Sequence, residues 1–161
     1  MKRIMFVCTG NICRSPLAHR SFEAKARAAG AEEEFQVESS GLGDWHVGDN
    51  ADPRMRKTAQ SHGLTLNHTA RQLSEADLEE YDLILVMDRS HKRQLERRIR
   101  DPEILEKVHL FRDWDPKGGP GAEVPDPYYG GADGFEKVYE MVDRTNTALL
   151  TDLLAESREA V

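Results

Sequence analysis

A short apolar run, Ile4–Val7, leads directly into Cys8-Thr9-Gly10-Asn11-Ile12-Cys13-Arg14-Ser15-Pro16, and this junction constrains the fold more than any other part of the chain. The apolar run predicts a strand that is buried on both faces. Ser15 and Pro16 predict a helix start, with the Ser15 hydroxyl as N-cap and proline at the first helical position. A strand, a short loop and a helix N-terminus together predict a nest of backbone N–H groups that binds an anion.

The residues of this loop add chemistry to the predicted anion site. Cys8 and Arg14 place a thiol and a guanidinium six positions apart. Gly10 permits a turn with positive φ, and Asn11 tolerates left-handed geometry. A thiolate at Cys8 would be stabilised by the helix N-terminus and by Arg14, whose planar fork can hold two phosphate oxygens. The alternative is a buried, inert Cys8 on an ordinary turn with Arg14 in solvent.

Composition limits the class of protein. With 161 residues, a net charge of −7 and only two cysteines, the chain predicts one domain and argues against nucleic acid as a partner. No apolar run approaches the roughly 20 residues of a membrane span, and the N-terminus lacks a secretory signal, so we expect a cytoplasmic protein without membrane insertion. Two cysteines are too few for a disulfide scaffold or a zinc site, and we expect no metal and no cofactor.

Strand and helix patterns alternate along the chain, which is typical of an α/β fold with a parallel sheet. We predict a three-layer, single-domain sandwich over residues 1–161, in which a sheet of about four strands carries helices on both faces. Ligands of such sheets bind beyond the carboxyl ends of the strands, where Cys8 lies. The predicted strands are 2–7, 35–38, 83–86 and 108–110, with a strand or turn at 64–68; the predicted helices are 16–29, 52–62, 74–80, 89–100 and 135–156; the segment 114–134 is a long loop.

The segment Val7–Pro16 resembles the active-site loop of the low-molecular-weight protein tyrosine phosphatases. Asp126–Gly130 and the following Phe135–Tyr139 resemble the general-acid loop and final helix of that family, and His68–Gln72 and Val86–Asp88 resemble two further stretches. The similarity runs from about residue 2 to about residue 154. It implies hydrolysis of phosphotyrosine proteins and small aryl phosphates through a phosphocysteine at Cys8, with inorganic phosphate as product and no metal.

The resemblance also implies roles for the remaining loop residues. Asp126 would protonate the leaving phenolic oxygen and then activate water, although an Asp-Pro pair is also common in plain turns. Arg14 would bind phosphate and stabilise the transition state, while Ser15 would donate to the Cys8 sulfur. The expected phosphate-binding residues are Thr9, Gly10, Asn11, Ile12 and Cys13.

Three aromatic residues in loops, Trp45, Tyr128 and Tyr129, predict flat walls of a slot that favours phosphotyrosine over the shorter phosphoserine. By resemblance, Ser39 and His68 support the loop together with Asn11. The expected structural ion pairs involve Arg71 and Asp88. We expect a monomer or a weak oligomer.

Cys13 has two interpretations: a small apolar filler, or a partner that forms a regulatory disulfide with Cys8, as in family members with the same pair. Leu42 and His91 depart from the residues usual in the family, threonine and asparagine. A thiol-dependent arsenate reductase is an alternative, but it needs a further cysteine, and none follows Cys13. A non-catalytic, phosphate-binding redox sensor is the other alternative.

Overall fold

The computed structural model describes residues 1–128 and 131–159, so the predicted wall residue Tyr129 lies outside the described residues. Its four strands form one parallel sheet in the order β2-β1-β3-β4. Ile4 in the central β1 is paired with Val37 on one side and Leu83 on the other. The predicted α/β class and four-stranded sheet are confirmed. The strands are β1 (Lys2–Cys8), β2 (Phe35–Gly41), β3 (Leu83–Val86) and β4 (Val108–Leu110).

Six α-helices of the described residues connect and cover these strands, and four of them, α2 to α5, begin at acidic or hydroxyl caps. Asp52 and Asp88 each accept a backbone N–H of the helix they precede, and Ser74 forms a capping box with Asp77. The helices are α1 (Arg14–Ala28), α2 (Pro53–Ser61), α3 (Glu75–Glu80), α4 (Arg89–Arg98), α5 (Pro102–Leu105) and α6 (Ala132–Glu159), with 3-10 turns at Glu32–Glu34 and Phe111–Trp114.

The sheet separates two hydrophobic clusters, because successive side chains of a strand point to opposite faces. Phe6 of β1 packs toward α1, α2 and α6, where its ring meets Phe111 edge to face at a centroid distance of 5.4 Å. Met5 and Val7 pack on the other face toward α3 and α4. The three predicted layers are therefore present. Among the described residues, no helix combines the length and the apolarity that a bilayer crossing needs.

The start and end of α1 differ from the prediction. The helix begins at Arg14, with Cys13 at the N-cap position and no side-chain cap, so Ser15 is not the N-cap. The Ser15 hydroxyl is committed to Cys8 and cannot also cap the helix. Proline is accommodated because it stands in the first turn, whose N–H groups have no intrahelical partner. The helix ends at Ala28, one residue before the predicted end, and Ala29 is exposed.

Strand β2 continues three residues beyond the predicted end, through Ser39 and Ser40 to Gly41. The apolar pattern stops at Glu38 because these small residues are buried for hydrogen bonding and close packing rather than for apolar contact. A Cβ on Gly41 would lie 2.8 Å from the carbonyl oxygen of Thr9 and 3.0 Å from the carbonyl carbon of Gly10, so only glycine fits there. Residues 64–68 are not a strand, and α5 and the two 3-10 turns were not predicted.

Candidate active site

Residues 8–15, called the anion loop below, leave the carboxyl end of β1 and curl over the N-terminus of α1. They form one wall of a cavity of about 260 Å³ at the edge of the sheet where the prediction placed it. The structure brings together at this cavity nine predicted residues and one that was not predicted, His46: Cys8, Thr9, Gly10, Ile12, Cys13, Arg14, Trp45, His46, Asp126 and Tyr128.

The Cys8 sulfur lies 3.0 Å from the Ser15 hydroxyl oxygen, and both side chains are buried. That oxygen accepts a hydrogen bond from the Asn11 amide at 2.9 Å. Its own proton can go to the sulfur or to the Ser40 carbonyl, which is 3.4 Å away. The shorter contact and the greater need of a thiolate favour the sulfur. Ser15 is therefore placed to stabilise negative charge on Cys8.

Arg14 is held in place through both of its terminal nitrogens. Its Nη1 donates to the Asp88 carboxylate at 2.9 Å and to the Val124 carbonyl at 3.0 Å, and its Nη2 donates to the Thr9 hydroxyl at 3.4 Å. Burial works against the charged guanidinium, but the charges of Cys8 and Asp88 outweigh it and raise the pKa of Arg14. Asp88, expected in a structural ion pair, thus pairs with the predicted phosphate-binding arginine itself.

Asn11 adopts a φ of 58°, the left-handed geometry predicted for it, and its amide braces the loop from behind. The amide oxygen accepts from the Arg71 backbone N–H at 2.9 Å, and the amide nitrogen donates to the Ser39 hydroxyl at 3.1 Å. The side chain is fully buried and does not line the cavity, so its position fits loop support rather than the substrate contact expected of it.

His68 completes this bracing network. Its Nε2 lies 2.8 Å from the Asn11 carbonyl oxygen and 3.1 Å from the Asn11 amide oxygen. Because both neighbours only accept, Nε2 carries the proton. Burial lowers the pKa of His68 to about 4, so the ring is neutral at pH 7. Arg71 also forms the expected structural ion pair, at 2.8 Å from Asp77.

The mouth of the cavity is aromatic. Trp45 is 71% exposed and Tyr128 is 46% exposed, whereas the large apolar residues of the core are buried. His46 stands beside Trp45, and a Cβ on Gly10 would lie 2.9 Å from its ring, which explains a glycine at that point of the anion loop. His46 could have been predicted as a site residue from its place beside Trp45 in the loop that follows β2.

The carboxylate of Asp126 also lines the cavity, next to Tyr128. One oxygen accepts from the Tyr128 backbone N–H at 3.0 Å, and the other lies 3.9 Å from Arg14 Nη2. Arg54, which sequence reasoning missed, donates to the Tyr128 carbonyl at 3.1 Å and lies 5.0 Å from the centroid of its ring. The residues just before Asp126 are fixed by the bond from Val124 N to the Met87 carbonyl. Asp126 is thus partly exposed but carried by an anchored segment.

Cys13 lines the cavity near Cys8 but has the properties of an unreactive thiol. Burial raises its pKa well above the usual value, and the neighbouring charges of Cys8 and Asp52 raise it further. Both cysteines are free thiols in this structure. Within residues 1–128 and 131–159, no cluster of three histidine, cysteine or carboxylate side chains is arranged to hold a metal ion.

Comparison with known proteins assigns the family. Residues 3–159 match the family model of the low molecular weight phosphotyrosine protein phosphatases. A low molecular weight protein-tyrosine-phosphatase of Streptomyces coelicolor is 44% identical over 149 residues, covering 92% of this chain and 91% of that protein. A crystal structure of a protein tyrosine phosphatase from Entamoeba histolytica aligns with a TM-score of 0.91 and 30% identity, covering 98% of this chain and 99% of the other.

A further solved structure, that of the YwlE arginine phosphatase, aligns with a TM-score of 0.86 and 28% identity over 97% of this chain and 98% of the other. The fold is therefore shared by phosphatases with different phosphorylated side chains as substrates. The family match over nearly the whole length and the identity of the relatives agree with each other. The chain is a phosphatase and belongs to the low molecular weight phosphotyrosine protein phosphatase family.

Proposed function

We propose that this protein hydrolyses phosphotyrosine in two steps through a phosphocysteine at Cys8. The observation that carries the proposal is the convergence of a buried thiol, a buried guanidinium and a partly exposed carboxyl group on one cavity. Cys8, Arg14 and Asp126 supply these three groups. The groups serve as nucleophile, anion clamp and proton donor, which are the parts that phosphoryl transfer requires.

In the first step the Cys8 thiolate attacks phosphorus, and the bond from phosphorus to the phenolic oxygen breaks. The leaving oxygen takes the proton of Asp126, because a phenoxide is a poor leaving group in water without one. Arg14 and the backbone N–H groups of the anion loop hold the non-bridging oxygens as charge spreads over them. The products of this step are the phenol and the phosphocysteine.

In the second step water attacks the phosphocysteine, and Asp126, now ionised, takes a proton from it. The sulfur–phosphorus bond breaks and its electron pair returns to the Cys8 sulfur. The Ser15 hydroxyl, 3.0 Å from that sulfur, stabilises the departing thiolate. Inorganic phosphate leaves, and the original protonation states are restored.

Phosphotyrosine is favoured by the two flat side chains at the mouth, Trp45 and Tyr128, which can stack on an aromatic ring. The likeness to an arginine phosphatase makes phosphoarginine the competing substrate class. A phosphoserine side chain is too short to reach both Cys8 and the aromatic rim. We therefore expect the order phosphotyrosine over phosphoarginine over phosphoserine in matched peptides.

The test is turnover of p-nitrophenyl phosphate in excess EDTA by the wild type, Cys8→Ser and Asp126→Ala, with Asp143→Ala on α6 as a matched control. We expect no turnover from Cys8→Ser, a loss on the order of 10²-fold in kcat from Asp126→Ala, and wild-type rates from the control. Peptides with each of the three phosphorylated residues then rank the substrates. Lack of turnover by the reduced wild type would refute the proposal.

We also propose that Cys8 and Cys13 form a reversible disulfide under peroxide, in a protein that works in the reducing cytoplasm. Peroxide would convert the Cys8 thiolate to a sulfenic acid. Cys13, whose raised pKa makes it unreactive toward reagents in solution, would still displace water from the electrophilic sulfenic sulfur beside it to form the disulfide. Both thiols line the same cavity, which supports this step. With enough peroxide to carry an unprotected Cys8 on to the sulfinic acid, wild type should regain activity with dithiothreitol, whereas Cys13→Ala should not. Equal recovery would contradict the disulfide.

A further inference from the structure

The exposed face of helix α4 is basic, and none of its residues lines the cavity. Residues 89–100 contain six of the 22 lysines and arginines of the chain and a single carboxylate, Glu96. Their net charge is +5 in a chain whose total is −7, so all other residues together carry −12. A concentration of one sign against the rest of the surface indicates a place where an anion binds.

The positive charge of α4 is concentrated on the side of the helix that faces solvent. His91 and Leu95 bury one side of α4, which leaves Arg89, Arg93 and Arg97 on the side away from the core. These three residues, called the arginine row below, are spaced at i, i+4 and i+8 and are all exposed. At 1.5 Å per residue they form a line of roughly 12 Å along the helix axis.

Most of these cations have no acidic partner. Arg89 pairs with Glu123 at 3.4 Å and Arg98 pairs with Glu75 at 2.9 Å. In the part of the chain that the structure describes, no ion pair engages the other four cations: Lys92, Arg93, Arg97 and Arg100. Their charges are therefore available to a ligand from outside.

Repulsion within the arginine row works against the helix, although Arg97 in the last turn fits the helix dipole. Arginines at i and i+4, such as Arg89–Arg93 and Arg93–Arg97, repel each other on a helix surface. Arg89 and Lys92 also place positive charge in the first turn, against the helix dipole, and no acidic residue stands there. Sequences break such local rules mainly where a function requires it.

The arginine row begins at the rim of the cavity. Asp88, the residue before it, bonds to Arg14, and the Arg89 backbone N–H donates to Glu123 at 2.7 Å. Glu123 stands three positions before Asp126 in the chain. A protein whose phosphotyrosine occupies the cavity can therefore extend along the row without leaving the surface of the enzyme.

We propose that the arginine row binds an acidic segment of the phosphoprotein substrate, so that carboxylates near the phosphotyrosine select which proteins are dephosphorylated. This proposal rests on the proposed function and names its substrate class. Five of the six cations are arginine, whose fork binds carboxylates in a bidentate geometry. A short acidic segment touches the row alone, whereas a membrane or a nucleic acid would also meet the −12 charge of the remaining surface.

The test uses phosphotyrosine peptides that carry a block of glutamates, against matched peptides with glutamines. The block is placed about four to twelve residues to either side of the phosphotyrosine, since an extended residue spans roughly 3.3 Å. For the wild type at low salt, we expect kcat/KM for the best glutamate peptide to exceed that of its glutamine match about tenfold, or about 1.4 kcal/mol. About 0.5 M salt should abolish the preference.

The variant Arg93→Gln/Arg97→Gln should lose the preference and keep wild-type turnover of p-nitrophenyl phosphate, which is too small to reach the row. The control Arg27→Gln/Arg158→Gln makes the same change of charge on α1 and α6, across the sheet from α4, and should keep the preference. Melting temperatures check that all variants are folded. A preference that survives in the row variant, or disappears equally in the control, would overturn the proposal.

Two further measurements separate the other outcomes. Fluorescence anisotropy with a glutamate peptide that carries no phosphate reports binding to the row even if phosphatase turnover is absent, so failure of the proposed function is recognised by itself. Vesicles containing phosphatidylserine report binding to a membrane. Binding to vesicles that the row variant abolishes, without any peptide preference in the wild type, would assign the row to lipid and contradict the proposal.

Discussion

The ring nitrogen Nε2 of His91 lies 2.8 Å from the Thr9 hydroxyl oxygen and ends a chain of hydrogen bonds that supports the guanidinium of Arg14. Arg14 donates to Thr9 and to Asp88, and the other Asp88 oxygen lies 3.4 Å from His91 Nδ1. A guanidinium only donates, so Thr9 accepts from it, and the Asp88 carboxylate near Nδ1 favours the tautomer in which Nε2 accepts the Thr9 proton. The His91 proton is then on Nδ1, facing Asp88. His91 therefore orients Arg14 through Thr9.

Replacement of His91 by leucine should weaken anion binding more than it weakens folding. The Thr9 hydroxyl loses its acceptor and Arg14 loses one of its supports, so we expect kcat/KM for p-nitrophenyl phosphate to fall on the order of tenfold. The inhibition constant of inorganic phosphate should rise in parallel. The variant His91→Gln, whose amide can reach Thr9, should recover most of both. An unchanged phosphate inhibition constant in His91→Leu would argue against this role.

The buried histidines His68 and His91 should make the protein less stable in mild acid. Burial lowers the pKa of His68 and of His91 to about 4, whereas an unfolded histidine titrates near 6.5. Between these values the unfolded chain binds more protons, so the stabilisation is complete above about pH 6.5 and is lost as the pH falls toward 4. Each residue accounts for on the order of 3 kcal/mol at full shift.

Urea unfolding at pH 7 and pH 4.5 measures this effect. The loss of unfolding free energy between the two pH values should be smaller in His68→Gln and in His91→Gln than in the wild type. The exposed His62 provides the control, and His62→Gln should follow the wild type. Equal pH dependence in all four proteins would be inconsistent with neutral buried rings.

Asn11 combines a backbone role with a side-chain role, and two substitutions separate them. Asn11→Gly tolerates the φ of 58° but removes the amide bonds to Ser15, Ser39 and the Arg71 backbone. Asn11→Ala removes the same bonds and adds strain of about 1 kcal/mol. Both should lose turnover of p-nitrophenyl phosphate strongly, with the alanine variant also melting below the glycine variant. Near-normal turnover by Asn11→Gly would mean that the amide bonds do not hold the loop.

Asp115 anchors the segment that carries the proposed acid. Its carboxylate is fully buried, bonds to Arg144 at 2.7 Å and to Arg112 at 2.8 Å, and these bonds hold the pKa of Asp115 far below its usual range. Arg112 also donates to the Glu123 carbonyl at 2.9 Å. We expect Asp115→Asn to cost on the order of 3 kcal/mol of stability and to loosen the residues up to Asp126.

The catalytic part of this prediction is measured by the leaving group. Phenyl phosphate needs a proton on its leaving oxygen more than p-nitrophenyl phosphate does, so Asp115→Asn should slow the former several-fold more. Asp143 lies beside Arg144 on α6 and forms a partly exposed ion pair with Lys25 of α1. Asp143→Asn removes this pair and should leave both rates and the stability nearly unchanged. If Asp115→Asn slowed the hydrolysis of both substrates equally, its effect would not act through the proton donor Asp126.

The two cysteines should differ sharply toward alkylating reagents. Burial and the charges of Cys8 and Asp52 raise the pKa of Cys13, which keeps its thiol protonated at pH 7. Iodoacetamide should therefore modify Cys8, and inorganic phosphate should protect it by filling the cavity. Peptide mapping by mass spectrometry gives the rate at each residue. Modification of Cys13 at a similar rate would contradict its assignment as an unreactive thiol.

The parts of this molecule that sequence could predict are those determined by local pattern. The apolar run of β1, the left-handed asparagine of the loop and the capping box at Ser74 each contain their own signal, and the structure has all three. The positive-φ turn predicted at Gly10 is wrong, because the left-handed residue of the loop is Asn11. The supports of Arg14 carry no such signal, because the Val124 carbonyl is 110 positions away and the Asp88 carboxylate is 74. Such contacts are created by the fold, which brings the ends of distant strands together.

The error about Ser15 has the same origin. Its sequence position favours an N-cap, but in the structure the hydroxyl contacts the Cys8 sulfur and accepts a hydrogen bond from the Asn11 amide. Likewise the low hydropathy of Ser39 predicts that the strand has already ended. The structure instead places Ser39 inside β2, where its buried hydroxyl accepts a hydrogen bond from the Asn11 amide. Polar residues that serve the site override the local rule in both cases.

The contact of Gly41 with the anion loop has a consequence for protein engineering. Because the backbone of β2 presses against Thr9 and Gly10 without an intervening side chain, the curvature of the phosphate site is moulded by a neighbouring strand. The Leu42 and Gly43 amides continue this contact by donating to the carbonyls of Cys8 and Thr9. Residues 8–15 transplanted alone into another strand–helix unit would therefore bring the reactive groups without the loop conformation that the phosphate site needs. The smallest segment set that could be transplanted also includes the end of β2 at Gly41.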